Sequence, residues 1–150
     1  MAASFHSDRS WHFDVPPDQL WERVNATSEY PSWWPWLHEF DGTGPITEGS
    51  RWSCAVSPPL PYTVRFVIEF RRVFVGRAVE SEISGDIAGW ARLTIDDRPD
   101  GSSARLESAL HPTNLLLRGV GSLARPLIEF GHDWILDEGR RQFVTRAFHD

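Results

Sequence analysis

Residues 103–130 read SARLESALHPTNLLLRGVGSLARPLIEF, and two different repeats meet inside them. Up to Leu110 the residues alternate, Leu106 and Leu110 on one side and Arg105 and Glu107 on the other, which is the period of a strand with one wet face. Beyond His111-Pro112 apolar residues recur every three or four positions, at Leu116, Val120, Leu123, Leu127, Phe130 and Trp134. That spacing predicts one stripe of a long helix. Pro126 lies within it and predicts a bend, or else a break between a short and a longer helix around GVGSLARP. A chain that changes period once, and late, builds a sheet before its main helix.

Upstream of this junction the turn signals are dense. RPDGSS and the Gly-bounded GDIAG separate SARLESAL, GWARLTIDD and RAVESEIS into consecutive antiparallel strands. PYTVRFVIEFRRVF is the clearest strand: Tyr62, Val64, Phe66, Ile68 and Phe70 point one way, Thr63, Arg65, Glu69 and Arg71 the other. SPPLPY before it is a stiff loop, and RWSCAV alternates Trp52, Cys54 and Val56 against Arg51, Ser53 and Ala55. DGTGP and PITEGS are expected to bracket a short edge strand. At the amino end, SFHSDRSWHFDV alternates over residues 4–15, and PPDQLWERVNAT carries Pro at its entry, Asp18 early and Leu20, Trp21 and Val24 at helical spacing. EYPSWWPWLHEF, residues 29–40, then packs three of the eight tryptophans and two prolines into a dozen positions.

Composition narrows the function. At 150 residues and 41% hydrophobic, the chain is the size of one ordinary domain, 1–150, able to remove roughly 70% of its unfolded surface from water. All 15 basic residues are Arg, so Schiff-base lysine chemistry is excluded. A net charge of −6 with dispersed Arg argues against nucleic-acid binding. Cys54 is the single cysteine, which excludes an internal disulfide or a thiolate-rich metal site and suggests a reducing, cytoplasmic setting. No run of about 18 apolar residues predicts a membrane span, and no signal-peptide pattern is read at the start. Ligand-spaced His or Cys motifs, phosphate loops, dinucleotide fingerprints and nucleophile elbows are absent from the sequence, so no metal and no cofactor is expected.

The element order, with YPSWWPWL after the first helix, SGDIAGWARLTI in the sheet and LARPLIEFGHDWILDEGRRQF in the last helix, resembles the START-like (SRPBCC) superfamily. Within it the chain is most similar to the bacterial polyketide cyclase/dehydrase and lipid-transport group. The resemblance covers essentially the whole chain. It implies an α+β helix-grip fold: a curved antiparallel sheet wrapped around a long carboxy-terminal helix, two short helices after the first strand, and an apolar cavity that takes sterols, lipids or polyketides. It implies no shared catalytic set, since one fold hosts many functions.

On that reading the tryptophan segment either plugs the end of the core or lines the mouth of the cavity, and the two roles are compatible. Trp33, Trp36, Trp52, Tyr62, Phe66, Phe70, Leu93, Leu106, Leu127, Phe130 and Trp134 are the expected ligand-contact set. Val64, Ile68, Val79, Ile83, Ile95 and Leu110 share the concave register, most of it simply core. Polar residues in apolar register draw notice because burying them unpaired costs about 1–3 kcal/mol. Arg72 continues the Tyr62-to-Phe70 face, Arg9 lies with Phe5 and Trp11, and Ser81 and Ser108 interrupt their strands. An Arg there could hold a ligand carboxylate or enolate. His132 lies beside the helical stripe, where an imidazole can act as base or hydrogen-bond donor, while Asp133 is expected to point elsewhere. The catalytic candidates are therefore Arg72, His132 and Tyr62, with His111 and His38 as outsiders.

Three functions are compatible with these residues. The leading one is binding of a hydrophobic, ring-containing, polyketide-like or lipid small molecule inside the domain. The second is a polyketide cyclase or dehydratase acting on a ligand held in the same cavity, and the third a protein-interaction domain with a filled core. The expected partner is a hydrophobic small molecule, with a homodimer left open and neither nucleic acid nor integral membrane association expected.

Overall fold

The structure, a computed structural model, describes residues 5–42, 44–59, 62–113 and 121–148, and the side chains of these except Phe5 and residues 121–128. Seven strands form one antiparallel sheet: β1 (Phe5–Phe13), β2 (Leu37–Asp41), β3 (Arg51–Val56), β4 (Val64–Phe74), β5 (Ala78–Gly85), β6 (Ile87–Arg98) and β7 (Gly101–Pro112). Their spatial order is β1-β7-β6-β5-β4-β3-β2, so the first strand closes onto the last and the meander runs from there to β2. The sheet curls into a half-barrel. Between β1 and β2 lie α1 (Pro17–Val24), a 3-10 turn over Thr27–Glu29 and α2 (Tyr30–Trp33), and the long helix α3 (Gly121–Ala147) follows the sheet. This is the helix-grip arrangement that the START-like resemblance implies, with the sheet before the long helix as the change of period predicts.

Local chemistry explains the elements. Pro17 opens α1 with its φ already helical and no N–H to lose, Asp18 sits in the first turn, and Leu20 and Trp21 bury the inner face. Three sequence expectations need correction. The edge strand is Leu37–Asp41, the tail of the tryptophan segment, and residues 44–50 are connection without a strand, pinned by a bond from the Ile46 amide to Asn25 Oδ1 (2.7 Å). GDIAG is not all turn: β6 begins at Ile87, and Gly89 pairs with Leu110 inside the strand. At Gly89 φ is +149°, and a Cβ would stand 1.9 Å from the Ala109 carbonyl oxygen, so only glycine lets the two backbones approach there. The third correction concerns β4, where the register slips between Phe70 and Arg72. Phe70 faces inward opposite Ser81, but Arg72 pairs with Glu80 on the outer face and is exposed. A bulge inserts one residue and reverses the alternation beyond it.

α3 is continuous from Gly121 through Pro126 to Ala147. Leu116 and Val120, along with the side chains of Leu123 and Leu127, lie outside the described residues. Its carboxy-terminal half is held by the tryptophan segment. Trp34 Nε1 donates to the Gly139 carbonyl (2.9 Å), Trp36 Nε1 to Gln142 Oε1 (2.8 Å), and Arg146 donates to the Trp33 carbonyl (2.7 Å). Trp34 and Trp36 stack 5.4 Å apart, and Phe143 meets Trp33 edge-on at 5.5 Å and Phe13 of β1 at 5.7 Å. Tyr30 is the hub on the other side, in ring contact with Trp33, Trp34, Phe40 and Trp52, while its hydroxyl donates to the Val24 carbonyl. Each aromatic pair adds about 0.5–1.5 kcal/mol beyond the area it buries.

Trp33 is 3% exposed at the centre of this cluster. Trp33→Ala is expected to lower unfolding stability by about 3–5 kcal/mol in guanidinium titration. A loss below about 1 kcal/mol would mean that the ring is not part of the core.

Candidate functional site

Strand pairing carries rows of inward side chains across the concave face. The rows run Trp11–Ala104–Ile95, then Arg9–Leu106–Leu93–Val79–Val73, then Ser7–Ser108–Ala91–Ser81–Phe70, then Leu110–Gly89–Ile83–Ile68–Trp52. The register therefore places the apolar set read from the sequence on one face. Its two ends differ. Phe13, Ala104, Ile95, Val79 and Phe70 are buried with Leu20, Trp21, Trp33, Phe143 and Ala147 in one cluster. Leu93 and Ile68 are half-buried against that cluster, while Leu106, Ala91, Gly89 and Phe66 are only half-buried and lie outside it. The third row is built from small side chains, three serines and an alanine, before it reaches Phe70, and the fourth includes Gly89. The floor of the sheet is therefore low at its centre.

At one level α3 touches both sides of this floor. Arg9 of β1 donates to Asp133 Oδ1 (2.8 Å) and, through its other nitrogen, to Asp137. On the other side Gly131 abuts Tyr62 and Pro58, of the segment joining β3 to β4, so closely that a Cβ would sit 1.9 Å from the Tyr62 oxygen. Between these contacts lies His132, its side chain 23% exposed, with Nδ1 3.3 Å from Asp133 Oδ1. The expectation that Asp133 points away from His132 is thus corrected: neighbouring helical side chains diverge by about 100°, yet both are long enough here to meet.

The structure distributes the sequence-selected residues unevenly. Trp33, Trp52 and Phe70 belong to, or pack against, the sealed end, and Trp36 is half-buried on α3. Leu93 is half-buried against the sealed cluster, Phe66, Leu106 and Tyr62 are half-buried on or beside the open part, and Trp134 is half-buried on the flank of α3. Phe130 departs from expectation. It is 52% exposed and falls on the side of α3 that carries Asp133, Asp137 and Val144. The inward side is Gly131, His132, Ile135, Leu136, Gly139, Gln142 and Phe143, all buried or half-buried. Glycines and polar residues hold much of that line, so a count of apolar spacing selects a neighbouring one. Gly131 and Gly139, about two turns apart, were the missed signal. Arg9 is held by two carboxylates, and Arg72 lies outside on the convex face.

Burial governs the ionisable groups here. It pushes the Cys54 thiol up to about 12 and raises the Tyr62 and Tyr30 hydroxyls above their ordinary range. Cys54 is therefore a protonated core residue at neutral pH. Among the described residues no three His, Cys, Asp or Glu side chains converge as metal ligands would, and no helix is long and apolar enough to cross a membrane.

The family model for polyketide cyclase/dehydrase and lipid-transport proteins matches residues 4–146. The chain belongs to that family. No curated protein matches it in sequence. Among solved structures, protein CV1439 from Chromobacterium violaceum has a TM-score of 0.67 at 10% identity, each chain covered to 99%. Protein SA2116 from Staphylococcus aureus has 0.68 at 10% identity, with 99% of this chain and 98% of that one covered. Norcoclaurine synthase from Thalictrum flavum, solved with dopamine and hydroxybenzaldehyde, has 0.60 at 11% identity, covering 97% and 89%. At such identities the likeness shows the fold, and this polyketide cyclase/dehydrase relative shares it from end to end.

Cys54 and Tyr30 are harder to ionise folded than unfolded. Their contribution to stability is complete below the ordinary thiol value of 9.0 and is lost as pH rises toward 12. Native protein at pH 8 is expected to resist a thiol-labelling reagent while unfolded protein reacts with one equivalent, and guanidinium midpoints are expected to fall between pH 9 and about 12. Rapid labelling of the native protein would contradict this burial.

Proposed function

We propose that this chain binds a hydrophobic, ring-containing small molecule between the concave face of the sheet and α3, within one START-like unit spanning residues 1–150. The observation that carries the reading is the contrast between the two ends of the concave face. Aromatic packing seals one, with Leu93 packed against its edge, while Leu106 and Phe66 remain half-buried outside it, beside a floor of Ser7, Ala91, Ser81, Gly89 and the buried Ser108. Folded interiors leave few voids, so half-buried apolar side chains on an inward face mark the place where a ligand completes the packing. The ligands held by the solved norcoclaurine synthase are small aromatics, a class that suits such a lining.

Covering about 300 Å² of apolar ligand at roughly 25 cal/mol per Å² yields about 7 kcal/mol before association costs, so micromolar binding needs no catalytic group. A protonated, buried lone cysteine accords with a reducing, cytoplasmic setting. A second reading, cyclase or dehydratase chemistry on the held molecule, draws on the polar groups at one level of α3, His132 and Tyr62. Shape alone supplies part of such catalysis by holding reacting atoms close.

The test is a filling substitution. Ala91→Leu places a larger side chain on the low centre of the floor. If a ligand space lies there, the variant is expected to keep or gain thermal stability while losing at least tenfold in affinity for 2-methoxynaphthalene, measured by calorimetry. If the face is already packed, the same change is expected to overpack it and cost about 1–3 kcal/mol, which would favour a filled core. Native mass spectrometry of freshly purified protein adds a second readout. A discrete hydrophobic adduct that Ala91→Leu lacks supports the binding reading.

A further inference from the structure

We infer that His132 is the ligand-recognition residue of this site, fixed by Asp133 and Arg9 as a hydrogen-bond acceptor, and that it selects an apolar molecule bearing a phenol or enol hydroxyl. The inference rests on the binding reading above and names the chemistry of its ligand.

Placement comes first. Phe143 faces the sheet, meeting Phe13 of β1 edge-on at 5.7 Å. His132 lies three turns and about 20° earlier on the same helix, roughly 16 Å along the axis, and Leu136 falls between them on nearly the same line. The line that seals the core at Phe143 therefore presents an imidazole where the sheet is no longer sealed. That level is fixed independently by Arg9, which pairs in register with Leu106, a half-buried residue outside the sealed cluster.

Tautomer follows from the partners. Nδ1 lies 3.3 Å from Asp133 Oδ1, and a carboxylate only accepts, so Nδ1 carries the proton of the neutral ring. Nε2, at the tip of the ring, is left with a lone pair. Asp133 is itself held by Arg9 at 2.8 Å, and Arg9 is anchored a second time on Asp137, so two elements fix the orientation of the acceptor. The charged group in contact with the ring is Asp133, which Arg9 of β1 holds together with Asp137, and Tyr62 packs against the neighbouring Gly131. An acceptor beside a carboxylate disfavours a ligand carboxylate and favours a donor. Among hydroxyls, phenols and enols are the strong donors. Asp133 and Arg9 are positioning residues in this arrangement, since they act through His132.

The experiment compares 2-naphthol with 2-methoxynaphthalene, in which a methyl group replaces the hydroxyl hydrogen that His132 would accept, by calorimetry on the full chain. The wild type is expected to bind the naphthol about tenfold more tightly, the worth of one good hydrogen bond. His132→Phe is expected to bring the ratio to about one while keeping its affinity for the ether. Asp133→Asn preserves shape but lets the amide donate to Nδ1, which moves the ring proton to Nε2. It is expected to lose most of the preference too, a change in ratio that a merely structural role would not produce. Should His132→Phe fail to fold, Asp133→Asn decides. Equal binding of both compounds by the wild type, or a preference that survives both substitutions, overturns the inference and leaves the binding site standing. Binding of neither compound overturns the binding reading and this inference with it.

Discussion

The clamp between the tryptophan segment and the carboxy-terminal half of α3 is the constraint on which the rest of the molecule depends. A curved sheet and a long helix can lie against each other at many angles, and apolar contact alone does not choose among them. Three directed hydrogen bonds, from Trp34, Trp36 and Arg146, choose one, and Phe143 then lands on Phe13 across the fold. Gly139 is where the helix backbone comes close enough for Trp34 to reach it. The aromatic density that looks excessive in the sequence serves to fix a helix at one end.

Fixing one end determines what the other can be. Since the aromatic cluster already supplies a sealed core, the central rows of the sheet need not fill the remaining space, and they carry serine, alanine and glycine there instead of large side chains. Over these rows α3 is held by polar and close-packed contacts at its flanks, Arg9 with two aspartates on one side and Tyr62 against Gly131 on the other. Arg9 is half-buried but its carboxylate partners are exposed, so these ion pairs add little stability. Their role is to set orientation, above all that of His132.

Much of the fold was legible in the sequence because periodicity reports burial. The switch from alternation to helical spacing after Pro112 gives the order of sheet and helix, and the inward register from Trp52 to Leu110 follows from period two. What failed to show were the places where one residue breaks a repeat. The bulge after Phe70 turns Arg72 outward, and nothing in FRRVF distinguishes an insertion from continued alternation. On α3 the inward line is occupied by Gly131, His132, Gly139 and Gln142, so the visible apolar stripe points to Phe130, which faces outward. The site itself was the least legible part. His132 and Asp133 meet only because of side-chain length, and the partnership of Arg9 with α3 joins residues more than a hundred positions apart.

The most direct test of the account is a crystal structure of the protein under xenon pressure, since apolar space in proteins takes up xenon. The account predicts xenon between His132 or Leu136 and the Ala91–Ser108 floor, and none among Phe13, Trp33 and Phe143. Xenon lodged in the aromatic cluster, or a central floor covered by protein side chains with no xenon above it, would contradict it.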